Sequence, residues 1–182
     1  GLLVPVMMDP SGTGNVDSWR NWYLTSRGMA FLERTGAEFI PEDSEGFLRQ
    51  VRRDPQLDPY VEAAVAEALW AYGAGRPIAA IMCLFAAMER MVKAVGQAAR
   101  IDVERKNIND VFNDLRKRLR TQEDKAPSVQ AFPSSTFPAV RKARNDAAHK
   151  ADAPDIDKVR VLLCQFVSWY EAAAVLRDKP VV

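Results

Sequence analysis

Histidine and cysteine are scarce in this chain, which has one histidine and two cysteines among 182 residues. The cysteines, Cys83 and Cys164, lie in separate apolar stretches and form no Cys-x-x-Cys pair. So few ligands at such spacings exclude the usual zinc sites. We expect two buried free thiols, a reducing, cytoplasmic location, and neither metal nor cofactor.

An excess of charge of one sign is also lacking, since 25 Lys and Arg residues face 24 Asp and Glu residues. This balance neither indicates nor excludes nucleic-acid binding, because a local basic patch can lie on a neutral protein. The basic residues do cluster, in RQVRR at 49–53, RKRLR at 116–120 and RKAR at 141–144. The simplest interpretation of each cluster is a solvated helix face.

Long apolar runs are missing as well, and none approaches the roughly 18 residues that a membrane-spanning helix needs. The longest is IAAIMCLFAAM at 78–88, which suits a core helix. The first residues, GLLVPVMM, contain no basic residue and too short an apolar stretch for a signal peptide, so we expect none here. We therefore expect no contact with a membrane.

The apolar pattern is helical almost throughout, and only LLVPV at 2–6 resembles a strand, weakened by its proline. It predicts an all-α fold, a helical bundle of about five core helices with an N-terminal helical extension. The core helices are predicted at 58–74, 77–99, 107–120, 137–149 and 155–178. Their predicted N-caps are Asp58, Asn107, Thr136 and Asp155.

The extension is predicted to hold helices at 17–34 and 43–53. The breaks in DPQLDPY at 54–60 place the domain boundary between 57 and 58, so that 1–57 is leader and extension and 58–182 is the core domain. The four tryptophans, Trp19, Trp22, Trp70 and Trp169, are expected to be packing residues.

The segment RKARNDAAH, at 141–149, contains the single histidine. In a helix Asn145 and His149 lie one turn apart on one face, and the long side chain of Arg144 can reach toward them. Together they offer an imidazole, a fixed cation and an amide. These groups suit RNA cleavage, in which the ribose 2′-hydroxyl is an internal nucleophile, histidine moves protons near neutral pH and a guanidinium matches phosphate oxygens.

The same spacing of arginine and histidine also arises by chance. A purely structural alternative is therefore a helical scaffold in which Arg144 and His149 only cap or bridge helices.

Residues 58–178 resemble the HEPN superfamily of small helical domains. In that family a late helix carries an arginine, four to six residues and a histidine, often with asparagine after the arginine, as in RNDAAH at 144–149. The segment AYGAGRPIAAIMCLFAAMERMVKAV at 71–95 is also similar to the family's turn and second helix. Glu89 stands in that helix where a glutamate is common.

The resemblance implies a metal-independent endoribonuclease that acts as a homodimer, with two motifs in one cleft, as in many toxins and defence effectors. It implies that Arg144 contacts phosphate and the transition state, that Asn145 orients these groups and that His149 transfers protons. Glu89 is a candidate supporting residue, although an ion pair with Arg90 or Lys93 explains it more simply.

The expected partners are an RNA substrate, a second copy of the chain and an antitoxin or other regulatory protein. RNA is expected to contact the basic residues that flank the motif: Arg116, Lys117, Arg118, Arg120, Arg141 and Lys142. The alternative function is a non-catalytic HEPN module that binds a partner protein, a nucleotide or RNA.

Overall fold

The structure is a computed structural model that describes residues 3–5, 22–24, 41–120, 132, 136–149 and 154–179. The chain divides into two compact units, Gly1–Glu38 and Phe39–Val182. In the first unit, strands β1 (Leu3–Pro5) and β2 (Trp22–Leu24) pair antiparallel. The helix predicted over 17–34 is therefore wrong at 22–24, where WYL is rich in the aromatic residues that favour strands. The rest of that predicted helix lies outside the described residues.

The described part of the second unit is an all-α helical bundle, as the sequence predicts. Its helices are α1 (Ser44–Val51), α2 (Pro59–Gly73), α3 (Pro77–Ala98), α4 (Ile108–Arg120), α5 (Thr136–His149) and α6 (Ile156–Asp178). The five predicted core helices correspond to α2 through α6, and their bounds differ from the predicted ones by one residue at most.

Side-chain caps explain where three of these helices begin. The side chains of Asp58, Asn107 and Asp155 each accept a hydrogen bond from the backbone N–H two residues later, at 2.8, 3.0 and 3.1 Å. Each cap satisfies a donor that the first helical turn leaves unpaired. Thr136 differs from its predicted role, because it is the first helical residue and is buried.

A tight turn joins α2 to α3. Gly75 adopts a φ of +66°, which a residue without a side chain tolerates, and the backbone N–H of Arg76 donates to the carbonyl of Ala71 at 2.8 Å. Arg90, in α3, pairs with Asp58 at the start of α2, with 2.6 Å between Nε and Oδ2. The two helices are therefore antiparallel, as such a short connection requires.

An aromatic cluster forms much of the core. Trp169 of α6 is 1% exposed and lies against Phe132, Phe166 and Phe137, with ring centroids 5.4, 6.1 and 6.4 Å away. The packing role predicted for Trp169 is confirmed. It is wrong for Trp70, which is 57% exposed. The side chains of the other two tryptophans lie outside the described residues.

Helix α1 packs against the other helices of the bundle. Phe47 and Val51 are fully buried, and the ring of Phe47 stacks on Phe166 with centroids 6.5 Å apart. The compact unit Phe39–Val182 therefore includes α1, and the boundary between 57 and 58 stays a prediction. Cys83 and Cys164 are free thiols, as expected, but both are half-buried rather than buried.

Helix α6 is long and apolar enough to cross a membrane by length and composition alone. Its most apolar stretch of 18 residues is 56% buried inside the bundle. A core helix of a soluble protein passes the same test of length and composition, so this feature by itself does not indicate a membrane span.

A buried ion pair fastens the segment after α1 to α6. The guanidinium of Arg177 contacts both carboxylate oxygens of Asp54, at 2.8 and 3.0 Å, and the two side chains are 13% and 5% exposed. The hydroxyl of Tyr170 also donates to Asp54. Burial opposes ionisation of Asp54, but the hydrogen bonds from Arg177 and Tyr170 outweigh it and hold its pKa below the usual range.

We predict that Asp54→Asn lowers the free energy of unfolding near neutral pH by about 2 kcal/mol, because charged hydrogen bonds are lost. The depressed pKa in the folded state means that this stabilisation is complete above the unfolded pKa of about 3.9 and is lost as the pH falls through the folded value. The difference between wild type and variant should therefore shrink in acid. Urea denaturation over a series of pH values measures it.

The matched control is Asp178→Asn, because Asp178 also contacts Arg177, at 2.8 Å, but is 36% exposed. This exposed pair should contribute less than about 1 kcal/mol. Equal losses in the two variants would contradict the role assigned to the buried pair.

Candidate active site

Helix α5 carries the Arg144, Asn145 and His149 motif and is attached to the bundle by its first half. Phe137, Val140 and Ala143 are buried and repeat every three residues along one face. The ring of Phe137 lies 6.0 Å from that of Phe85 in α3. The last two turns, which contain the motif, extend beyond this buried stripe.

Arg144 lies at the edge of the core, half-buried. Its guanidinium carbon is 5.4 Å from the ring centroid of Phe85, which is a cation–π contact. Its Nη1 donates to Oδ1 of Asn145 at 3.0 Å. Its Nε is buried and has no hydrogen-bond partner among the described residues. Phe85 thus contacts one face of the guanidinium, and Asn145 accepts a hydrogen bond from one of its terminal nitrogens.

Asn145 and His149 lie on the outer face of α5, and both are exposed. With its Oδ1 engaged by Arg144, Asn145 retains its amide N–H groups as donors. His149 is the last helical residue. Within the described part of the chain, no hydrogen bond joins its ring to Arg144 or Asn145, so the imidazole is open to solvent. The structure therefore brings Arg144 and Asn145 into contact, and places His149 one turn farther along.

Glu89 forms an ion pair with Lys93, one turn later in α3, at 2.9 Å. From the sequence, an ion pair with Arg90 or Lys93 is the simpler explanation of Glu89, and the structure shows the pair with Lys93. Glu89 also lies one turn after Phe85, the residue beneath Arg144. The contact of its carboxylate in the structure is with Lys93.

The flanking basic residues divide between several contacts. Arg141 donates to Asn109 in the first turn of α4, whereas Arg118 donates to the carbonyl of Ala99, just after α3. Positions 109 and 118 are nine residues apart, which is about 14 Å along the helix axis. Arg141 and Arg118 are thus held at opposite ends of α4.

The other predicted RNA contacts lie closer to solvent. Lys142 is 71% exposed and pairs with Asp146 at 2.7 Å, and Lys117 is 81% exposed and lies 3.9 Å from Asp114. Arg116 is half-buried, and the side chain of Arg120 lies outside the described residues. Among the five whose side chains are described, Arg118 and Arg141 therefore contact different parts of the fold.

Phe85 was not identified from the sequence as part of the site. In the sequence it is one apolar residue in a long apolar run, and only the crossing of α3 and α5 places its ring under Arg144. Among the described residues, no group of three or more His, Cys, Asp or Glu side chains is placed to hold a metal ion.

Comparison of the chain with protein-family models, with curated proteins and with solved structures found no match.

We predict that Arg144→Ala lowers the free energy of unfolding by less than about 1 kcal/mol. The lost cation–π contact is small at a half-exposed site, and removal of an unpartnered buried N–H offsets part of it. Phe137→Ala, in the same helix, should cost about 3 to 5 kcal/mol because it opens a cavity in the aromatic cluster. Urea denaturation compares the two, and a similar loss in both would assign Arg144 a structural role.

Proposed function

We propose that this protein is a metal-independent endoribonuclease of the HEPN type that acts as a homodimer. The observation that carries the proposal is the motif at the solvent-facing end of α5. There a guanidinium is held in place beside an amide, and an exposed imidazole follows one turn later. A restrained cation together with a group that transfers protons is the combination that phosphodiester cleavage needs.

Arg144 is suited to bind phosphate because its orientation is restrained before substrate arrives. The cation–π contact with Phe85 and the hydrogen bond to Asn145 both restrain the guanidinium. A donor held in place in this way stabilises negative charge on the phosphate oxygens without reorganising during the reaction. We assign that role to Arg144, and the orienting role to Asn145.

His149 moves protons in the proposed reaction. The 2′-hydroxyl oxygen attacks phosphorus, the bond from phosphorus to the 5′-oxygen breaks, and a 2′,3′-cyclic phosphate and a 5′-hydroxyl result. One group accepts the proton of the 2′-hydroxyl and another delivers a proton to the departing 5′-oxygen. Each chain has one histidine, so two chains supply the two imidazoles.

The proposed dimer surface includes the exposed side of α3 next to the motif. Ile78 and Met82 are 42% and 39% exposed, and Met82 lies one turn before Phe85. Large apolar side chains beside a catalytic motif are favourable positions for a second copy, because its docking removes them from water. A two-fold axis here would bring two Arg144 side chains toward one cleft.

A second candidate function is the non-catalytic HEPN module that binds a protein, a nucleotide or RNA. It is favoured by the internal contacts of Arg144, since Nη1 and one face of the guanidinium are already engaged and Nε is buried.

For either function we infer a cytoplasmic location. For the ribonuclease we also infer an inhibitory protein partner, because unrestrained RNA cleavage harms the cell.

We predict that the purified protein cleaves RNA in the presence of a chelator and leaves 2′,3′-cyclic phosphate ends. His149→Ala should reduce the cleavage rate about 10²- to 10⁴-fold, because it removes the proton carrier. Arg144→Lys should also reduce it strongly, because an ammonium cannot reproduce the planar contact with Phe85 or with phosphate. Gel assays on tRNA and on unstructured RNA, with mass spectrometry of the products, measure this.

Lys142→Ala serves as the matched control, since Lys142 lies on the same helix but is exposed and paired with Asp146. It should weaken RNA binding slightly, in a salt-dependent way, and leave the cleavage chemistry intact. Cleavage that persists in His149→Ala would falsify the mechanism. Binding of RNA without cleavage by the folded wild type would favour the non-catalytic module.

We predict that the wild type is a dimer by light scattering and that Met82→Lys is monomeric, because a buried charge opposes association. The monomer should also lose most of its cleavage activity. The matched control is Val161→Lys on α6, where Val161 is 52% exposed and lies on a different helix. A monomeric wild type, or a Met82→Lys variant that remains dimeric, would contradict the proposed surface.

A further inference from the structure

We propose that the pair Trp70 and Arg76, at the turn between α2 and α3, binds an unpaired nucleotide of the RNA substrate. The indole of Trp70 would stack on the base, and the guanidinium of Arg76 would contact a phosphate. The identity of the ligand as RNA rests on the proposed function. The site itself is separate from the motif on α5.

The turn positions the pair. Trp70 lies on the outer face of α2 and is 57% exposed. The positive φ of Gly75 and the hydrogen bond from Arg76 N–H to the Ala71 carbonyl bring the chain back toward α2. As a result the guanidinium carbon of Arg76 lies 5.3 Å from the centroid of the Trp70 ring. We call this pair of side chains, Trp70 and Arg76, the platform. Contacts within the turn position it, and it needs no contact with residues distant in the sequence.

The charge of Arg76 distinguishes it from comparable arginines. Three other exposed arginines pair with carboxylates at 2.7, 2.6 and 2.8 Å: Arg52 with Glu62, Arg90 with Asp58 and Arg160 with Glu42. Arg76 instead stacks on the indole, and no carboxylate in the described part of the chain pairs with it. The amino end of α3 adds partial positive charge and the carboxyl end of α2 at Gly73 opposes it, so the positive charge here is that of Arg76. This surface consequently favours an anion.

An exposed aromatic ring beside a cation that has no carboxylate partner among the described residues matches the two parts of a nucleotide. Every base has a flat face that stacks on an aromatic side chain, and every nucleotide carries a phosphate. The bases of a duplex are already stacked on one another, so the platform selects single-stranded RNA. Arg76 and Phe85 lie nine residues apart, about 14 Å along the axis of α3 and half a turn around it, so the two sites are distinct.

The test measures RNA binding in full-length His149→Ala protein, so that cleavage does not interfere. The probes are a fluorescently labelled unstructured RNA oligonucleotide and a duplex of the same length, followed by fluorescence anisotropy. Adding Trp70→Ala should weaken binding of the single strand about 5- to 100-fold, as expected for the loss of one stacked base. Adding Arg76→Ala should weaken it and reduce its dependence on salt.

Tyr60→Ala is the matched control, since Tyr60 is an exposed aromatic residue on the same helix, 55% exposed. It should leave the affinity for the single strand within about twofold, because single surface substitutions usually have small effects. Circular dichroism of each variant checks that the helices remain intact. An effect of Tyr60→Ala as large as that of Trp70→Ala would overturn the assignment to this pair.

The outcomes separate this inference from the proposed function. If cleavage is metal-independent and requires His149, but Trp70→Ala does not change the affinity for single strands, the binding site at Trp70 and Arg76 is contradicted and the ribonuclease is supported. Affinity for single strands that requires Trp70, without any cleavage, would support the platform and overturn the ribonuclease. Equal weakening of single-strand and duplex binding would overturn the platform. So would a Trp70→Ala effect on dimer mass alone, which would indicate a protein contact.

Discussion

The stacking of aromatic rings around Trp169 is the interaction on which the rest of this bundle depends. Trp169 contacts Phe132 and Phe137, and Phe137 in turn contacts Phe112 and Phe85. These five rings join α3, α4, α5, α6 and the residue at 132 into one core. Aromatic side chains bury large areas and favour specific ring geometries, so the cluster fixes helix positions as well as supplying hydrophobic stabilisation.

The candidate site lies where this core ends. Beyond Ala143, helix α5 buries no further residue among those described, and Arg144 takes the first position outside the stripe. The guanidinium can stack on Phe85 from there while its charge stays close to water. A cation placed deeper would lose hydration without compensation, and one placed farther out would lose its orientation. The edge of the core therefore suits a group that must be both charged and restrained.

Helix α3 connects the two proposed contacts with RNA. Phe85, in its first half, supports Arg144, and Arg76 precedes its first turn. Because α3 is buried along most of its length, the distance between these two points is set by a rigid element rather than by a loop.

Local signals in the sequence determined the helices of the bundle. Asp58, Asn107 and Asp155 could be recognised as caps because a cap acts on a backbone N–H only two residues away. The buried faces of α2, α4 and α6 followed from a repeat of 3.6 residues, which each segment displays by itself. The position of Asn145 and His149 on one face could be predicted for the same reason, because a spacing of four residues is one helical turn.

The tertiary structure alone decided which side chains meet. Trp70 and Trp169 both occur in apolar helical segments, yet one is exposed and the other buried, because burial depends on which helices pack on that face. The ring under Arg144 and the pairing of Arg141 with Asn109 likewise depend on how helices cross. Such contacts join residues far apart in the chain, and neither propensity nor periodicity specifies the rotation and crossing of one helix against another.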